Sequence, residues 1–252
     1  MKLMKYKYTY DWKPDVPDFR DLKYSAPPIE LPHRVDLSRT VTYTYDQLRL
    51  GSCTGNAISL AMDFTRNKEG LAPIQPSRLF IYYGEREIEG TIPFDAGATL
   101  RSGIKVIYNT GAPPETLWPY KVNRFKQKPS AQAYAAAIPN KIDLYERLNN
   151  TNINELKACL ASGFTFVLGF AVYESFESPT VTSTGWVPMP APTEKMLGGH
   201  AVVCVGYDDE RQQFKCRNSW GSTWGNKGHF YLPFDYITNP NLAADFWTIK
   251  LS

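Results

Sequence analysis

The chain has 252 residues, of which 43% are hydrophobic, and a formal net charge of +3. This length allows one sizeable core or two lobes that share an interface. Without a basic run or an acidic tail we expect no nucleic-acid partner. No apolar stretch reaches about 18 residues, so we expect no membrane-spanning helix and no membrane partner. The lysine-containing start also lacks the apolar segment of a secretory signal peptide.

Residues 1–30 differ in composition from the rest of the chain. They are rich in Lys, Tyr, Asp and Pro, with prolines at 14, 17, 27 and 28. Such a segment does not build a hydrophobic core, so we expect an N-terminal extension that runs as an extended arm. Globular patterning begins at Leu31, and we assign residues 31–252 to one domain.

Helical periodicity dominates the first half of this domain. Apolar residues recur at helical spacing after Cys53, and Gly70 is placed to end that helix. Ser77 and Thr99 are candidate N-caps for a second and a third helix. Asn152, with a glutamate three residues later, resembles a capping box for a further short helix.

The second half of the domain changes to strand-like patterns. The run FTFVLGFAVY (164–173) predicts a buried strand, and HAVVCVGYD (200–208) with QQFKCRNS (212–219) predicts a hairpin. GHFYLPF and DFWTIKL predict two more strands, whereas residues 174–198 have the composition of a long surface loop. Helices followed by antiparallel strands favour an α+β fold with a cleft between a helical lobe and a strand lobe.

The four cysteines are distributed without a C-x-x-C pair. They are Cys53, Cys159, Cys204 and Cys216. Because no metal-ligand spacing occurs, we expect neither a metal site nor another cofactor. The pattern predicts free thiols rather than a disulfide framework, which is typical of the cytoplasm or another reducing compartment.

Cys53 is the candidate nucleophile of the predicted cleft. It stands at a helix start, where the partial positive charge of the helix N-terminus favours a thiolate. A nucleophilic cysteine also needs a base, and the histidines available are His33, His200 and His229. His200 is the candidate base because two glycines precede it and a predicted strand begins there.

Asn218 and Gln47 complete the candidate site. The predicted hairpin brings Asn218 near His200, where its side-chain oxygen can orient the imidazole without adding a competing anion. Gln47 lies six residues before Cys53. Its amide N–H and the backbone N–H of Cys53 could therefore converge on a substrate carbonyl oxygen. These residue types predict nucleophilic catalysis by a cysteine.

Three segments of the chain together resemble the papain-like cysteine peptidases: YDQLRLGSCTGNA, GGHAVVCVGYDD and RNSWGSTWGNKGHFYL. The family's order of Gln, Cys, His and Asn is kept, and the resemblance covers about residues 31–252. It implies a papain-like two-lobe fold and a monomeric cysteine endopeptidase that cleaves protein or peptide substrates through an acyl-enzyme. It also implies that Trp220 shields the Asn–His hydrogen bond, and it assigns Gly97, Gly199 and Trp220 to the substrate-binding region.

The departures from the family pattern are local. Thr54 stands where the family has an aromatic residue, Leu50 where it has a second cysteine, and Gly199 where Asn or Asp is usual. These departures are typical of divergent bacterial, archaeal and viral members. The family is usually made with an inhibitory propeptide. Residues 1–30 could accordingly lie across the cleft, as in a zymogen, or pack on the outside of a lobe.

Two other functions remain open from the sequence. One is a binding module that keeps the papain-like fold without activity, although all four expected catalytic positions are filled. The other is acyl transfer to an amine, as in transglutaminases, which share a Cys–His dyad. The NSWG run and the position of Gln47 argue against this second alternative.

Overall fold

A computed structural model describes residues 8–251, so residues 1–7 of the predicted N-terminal extension lie outside the described part. The α-helices of this part are α1 (Cys53–Lys68), α2 (Arg78–Ile88), α3 (Leu100–Asn109), α4 (Ala131–Ala137), α5 (Ile153–Ala161), α6 (Pro179–Thr184) and α7 (Phe234–Thr238). The strands are β1 (Trp12–Lys13), β2 (Arg34–Asp36), β3 (Ala98–Thr99), β4 (Leu144–Arg147), β5 (Phe166–Tyr173), β6 (Met196–Asp208), β7 (Gln213–Arg217), β8 (His229–Pro233) and β9 (Ala243–Lys250). Short 3₁₀ helices cover Val122–Arg124, Ile138–Asn140 and Glu174–Glu177.

An antiparallel sheet organises the second half of the molecule. Within residues 8–251 it has seven strands, in the order β4-β9-β5-β6-β7-β8, with β2 pairing onto β6. The predicted hairpin corresponds to β6 and β7, in which Val203 lies opposite Arg217. The short β1 pairs in parallel with β3, outside this sheet.

The central strand β6 separates two parts of the hydrophobic core. Successive side chains of a strand point to opposite faces. Ala201, Val203 and Val205 belong to the core shared with α1 and α3, whereas Val202 and Cys204 belong to the core shared with α5 and α7. Helices therefore cover the sheet on both faces, and the predicted α+β class is confirmed.

The predicted helix starts follow from local hydrogen bonding. The side chains of Ser77 and Thr99 each accept a hydrogen bond of 3.2 Å from the backbone N–H three residues later. Asn152 caps α5 in the same way. The carboxylate of Glu155 accepts from the N–H of Asn149 instead of Asn152, so only half of the expected capping box forms.

The prediction of a loop over residues 174–198 is wrong in part. A 3₁₀ turn and α6 occupy its first half, because Ser178 caps α6 and a proline stands at the first helical position. Strand β6 already begins at Met196, where it pairs with Tyr173 of β5. His200 consequently lies inside the strand and not at its start.

Several elements have no counterpart in the sequence prediction, among them α4 and β4. Strand β4 pairs with β9 near the end of the chain, with Tyr145 opposite Ile249. A pairing between residues so far apart leaves no local signal. No helix within residues 8–251 is long and apolar enough to cross a membrane.

Candidate active site

Cys53 is the first residue of α1, a helix whose first 13 residues are all buried. Its thiol is fully enclosed. The backbone N–H groups of Ala201 and Thr54 favour the anionic form of the sulfur. Cys53 packs in the same core cluster as Ala201, the residue that follows His200 on β6. The helix start and the strand meet at this point, as the sequence predicted for the cleft.

His200 and Asn218 are joined by a direct hydrogen bond. His200 Nε2 and Asn218 Oδ1 are 2.8 Å apart, and both side chains are fully buried. Asn218 Oδ1 also accepts from the backbone N–H of Ser219 at 2.8 Å. Oδ1 is an amide oxygen and can only accept hydrogen bonds. The imidazole is therefore the donor to it, and Nε2 carries the proton. His200 Nδ1 has no hydrogen-bond partner among residues 8–251.

Aromatic rings enclose this hydrogen bond. Trp220 stacks on the imidazole, with ring centroids 4.9 Å apart and planes 27° apart, and it is itself almost completely buried. Phe170 contacts the imidazole edge-on from β5. Such a wall excludes water and strengthens the hydrogen bond by lowering the local dielectric constant. This position agrees with the expected shielding role of Trp220.

Gln47 is held in a turn directly before α1. Its Oε1 accepts from Ser219 Oγ at 2.6 Å, and its Nε2 donates to the carbonyl of Leu50 at 3.0 Å. The backbone N–H of Gln47 donates to the carbonyl of Ser219 at 2.8 Å. Because an amide nitrogen has two hydrogens, one of them remains for another acceptor. Ser219 therefore couples Gln47 to Asn218.

The predicted substrate-binding glycines lie against the N-terminal arm. A Cβ at Gly97 would overlap the backbone of Asp11, and Gly97 has a positive φ of 64°. Gly199 forms a β-bridge with Asp11, and a Cβ there would come within 2.6 Å of the Trp12 ring. Residues 8–13, which we call the plug, thus occupy the surface that the sequence assigned to substrate.

Aromatic residues of the plug cover His200 and the Trp220 ring that stacks on it. Tyr8 stacks on Trp220 with centroids 3.8 Å apart and planes 1° apart. Tyr10 contacts the His200 ring edge-on at 6.3 Å. Trp12 is buried against Gly169 of β5, where any Cβ would overlap the indole. Of the two positions that the sequence left open for the arm, the plug lies in the one across the cleft.

The environment of the two candidate catalytic groups disfavours charge. Burial raises the pKa of Cys53 to about 12, an effect that nearby Glu85 and Asp11 reinforce and the N–H of Ala201 opposes. Burial lowers the pKa of His200 to about 4, against the effect of the Asn218 hydrogen bond. With the plug in place the pair is therefore a neutral thiol and a neutral imidazole near pH 7.

The other two histidines lie elsewhere. His229 Nε2 accepts from Arg217 Nε at 3.0 Å, and His33 lies on the surface 3.8 Å from Asp209. No group of three metal-binding side chains occurs in the part of the chain that the structure describes.

Two comparisons with known proteins bear on the family of this chain. A family profile described as papain family cysteine protease matches residues 95–243, which include His200 and Asn218. An uncharacterised peptidase C1-like protein of Acanthamoeba polyphaga mimivirus is 45% identical over 213 residues, covering 81% of this chain and 68% of the viral protein. The chain belongs to the papain family of cysteine proteases.

Solved structures of papain-family members extend the match to the whole fold. The crystal structure of xylellain, a cysteine protease from Xylella fastidiosa, matches with a TM-score of 0.90 and 41% identity, covering all of both chains. Digestive procathepsin L 3 of Tenebrio molitor matches with a TM-score of 0.71 and 18% identity, covering 92% of this chain and 74% of that one. The second match supports the papain-like fold alone. The predicted family, fold and cysteine peptidase class are confirmed.

Two residues of this papain-family site were missed by the sequence reasoning. Ser219 could have been found, because it follows Asn218 directly within the NSWG run. Gly169 also had a signal, since a lone glycine inside an apolar strand often marks the close approach of another group.

The unusual Thr54 has a partner of its own. Its Oγ1 donates to Glu85 Oε2 of α2 at 2.7 Å. A hydroxyl here replaces the aromatic residue that the family pattern led us to expect, and it links the start of α1 to a buried carboxyl group. Sequence alone gave no indication of this pair, because the two residues lie on different helices.

Proposed function

We propose that this papain-family protein is a cysteine endopeptidase that uses Cys53, His200, Asn218 and Gln47. His200 Nδ1 takes the proton of the Cys53 thiol, and the sulfur attacks a peptide carbonyl carbon. The Gln47 amide and the backbone N–H of Cys53 stabilise the oxyanion. As the C–N bond breaks, His200 returns the proton to the leaving amine, and water then hydrolyses the thioester.

The hydrogen bond between His200 Nε2 and Asn218 Oδ1 carries this proposal. At 2.8 Å it holds the tautomer in which Nδ1 is a proton acceptor. That same Nδ1 is buried and has no hydrogen-bond partner among residues 8–251. An unpartnered buried acceptor is costly for stability, and proton transfer from the thiol supplies a reason for it.

The test is modification and replacement of Cys53. In a chain that lacks residues 1–13, a thiol-directed epoxide should modify Cys53 selectively, as seen by peptide mapping. The plug then no longer covers Cys53, whereas the other three cysteines stay buried in the hydrophobic core. Cys53→Ala should abolish peptide hydrolysis, whereas the control variant Cys159→Ala should retain it. Peptidase activity in Cys53→Ala would contradict the proposal. An amine-acceptor assay on the same proteins distinguishes hydrolysis from transglutaminase-like transfer.

We further propose that the plug inhibits the peptidase in the intact chain, as in a zymogen. Its backbone pairs with β3, with Trp12 opposite Ala98. An extended peptide substrate would need this same edge and the same glycines at positions 97 and 199. Substrate and plug therefore compete for one surface, and the neutral thiol–imidazole pair beneath the plug is the less reactive form.

Beyond the cleft, a second set of contacts attaches the arm to the rest of the protein. Asp15 accepts from Trp247 Nε1 at 2.9 Å and from the backbone N–H of Arg101 at 3.0 Å. The Arg101 side chain pairs with Asp21. Residues 15–24, which we call the anchor, thus contact the rest of the protein through side chains that do not belong to the plug. We infer that the plug can leave the cleft while the anchor stays bound.

Deletion of residues 1–13 tests inhibition by the plug. The shortened chain keeps the anchor, so its fold should persist, and its peptide hydrolysis and Cys53 alkylation by iodoacetamide should both exceed those of the intact chain. Deletion of residues 1–7 is the matched control, because it leaves the plug in place. Equal rates in the intact chain and the longer deletion would refute the inhibitory role without affecting the assignment of Cys53.

A further inference from the structure

A buried carboxyl group lies next to the start of α1 but takes no part in the chemistry described above. Glu85 of α2 is completely enclosed. Its Oε2 accepts from Thr54 Oγ1 at 2.7 Å, and its Oε1 has no hydrogen-bond partner among residues 8–251. Thr54 is covalently adjacent to Cys53, so the carboxyl is one residue removed from the candidate nucleophile.

The surroundings of Glu85 leave space for its carboxyl group but provide no ion-pair partner for it. A Cβ at Gly103 of α3 would overlap Glu85 Oε1, so a glycine is needed there. Arg86 is the neighbouring cation, but its guanidinium donates to the backbone carbonyls of Tyr82, Ile92, Phe94 and Phe125. No salt bridge involves Glu85 in the described part of the chain. A buried group without an ion-pair partner needs a reason, since replacement by an apolar residue would avoid its desolvation cost.

We propose that Glu85 is a positioning residue for Cys53: its carboxyl holds the first turn of α1 through Thr54, and its charge state controls how readily the thiolate forms. This inference rests on the proposed role of Cys53 as the nucleophile. Glu85 itself touches neither substrate nor the reacting atoms.

The direction of the electrostatic effect follows from the groups that face Glu85. They are Thr54 on α1, Tyr82, Arg86 and Glu89 on α2, and Gly103 on α3. Burial raises the pKa of Glu85 to about 8, and Glu89 adds to this, while the Thr54 hydrogen bond and Arg86 oppose it. Below about pH 8 the carboxyl is therefore neutral. Above that pH it becomes an anion, which raises the pKa of Cys53 and disfavours the thiolate.

The pH dependence of Cys53 alkylation by iodoacetamide in the intact chain tests this inference. The logarithm of the rate should rise less steeply with pH once Glu85 ionises near pH 8 in the natural protein. Glu85→Gln, a neutral near-isostere, should remove this change of slope and alkylate about three- to tenfold faster than the natural protein at high pH, with little difference below pH 7. Glu87→Gln, an exposed position on the same helix, is the matched control and should retain the change of slope.

A second variant separates positioning from simple support of the fold. Thr54→Val removes the hydrogen bond that lowers the pKa of Glu85, so the change of slope should move to higher pH.

A uniform loss of rate at all pH values in Glu85→Gln would reduce Glu85 to a structural role and overturn the inference, as would an unaltered profile. A separate variant, Cys53→Ala, tests whether Cys53 is the nucleophile at all. If that variant retains peptidase activity, the proposed function is wrong as well.

Discussion

Replacement of Trp12 by alanine is the most direct perturbation of the closed state. The indole is only 9% exposed and fills the space above Gly169 and Gly199. Removing a buried aromatic side chain costs about 3–5 kcal/mol in a protein core. The indole Nε1 is, however, a buried donor without a partner in the described residues, and its removal recovers about 1–3 kcal/mol.

The free energy that holds the plug in the cleft therefore falls by about 2 kcal/mol. This corresponds to a roughly 30-fold shift of the equilibrium toward the open cleft. We expect Trp12→Ala to hydrolyse a fluorogenic peptide faster, and to alkylate at Cys53 faster, by up to this factor. Trp12→Phe keeps an aromatic ring without the unpaired N–H, so it should remain inhibited. Phe19→Ala, at a position of the arm that is 97% exposed, is the control and should change neither rate. A correctly folded Trp12→Ala with unchanged hydrolysis and alkylation rates would refute the reasoning.

Three further predictions concern the site itself. Asn218→Ala removes the acceptor that orients His200, and a loss of about 1–3 kcal/mol should lower kcat/KM about five- to 150-fold. Activity equal to that of the natural protein would argue against an orienting role. Ser219→Ala frees Gln47 Oε1 and should lower kcat about fivefold with KM nearly unchanged, whereas an effect confined to KM would place Gln47 outside oxyanion stabilisation. The raised pKa of Cys53 and the lowered pKa of His200 predict a neutral pair in the intact chain between about pH 5 and pH 11. Deletion of residues 1–13 should therefore move the rise of Cys53 alkylation to lower pH, and an identical pH profile in both chains would contradict this explanation.

The parts of the fold that could be predicted depend on residues close together in sequence. Ser77 and Thr99 cap their helices through hydrogen bonds to the N–H three residues later. Strand β5 was recognisable from a continuous apolar run. Strand β4, in contrast, exists because it pairs with β9. Such a strand depends on contacts that no local pattern reports.

The sequence by itself determined the family and predicted the residues of the candidate site. Cys53, His200, Asn218 and Gln47 were identifiable because each occurs within a short distinctive segment. Only the tertiary structure decided that the plug lies across the cleft, that Ser219 couples Gln47 to Asn218, and that Thr54 meets Glu85. The tertiary structure also decided the charge state of the Cys53–His200 pair. The physical reason is that burial and long-range packing set these contacts and pKa values, and neither is encoded in the spacing of residues along the chain.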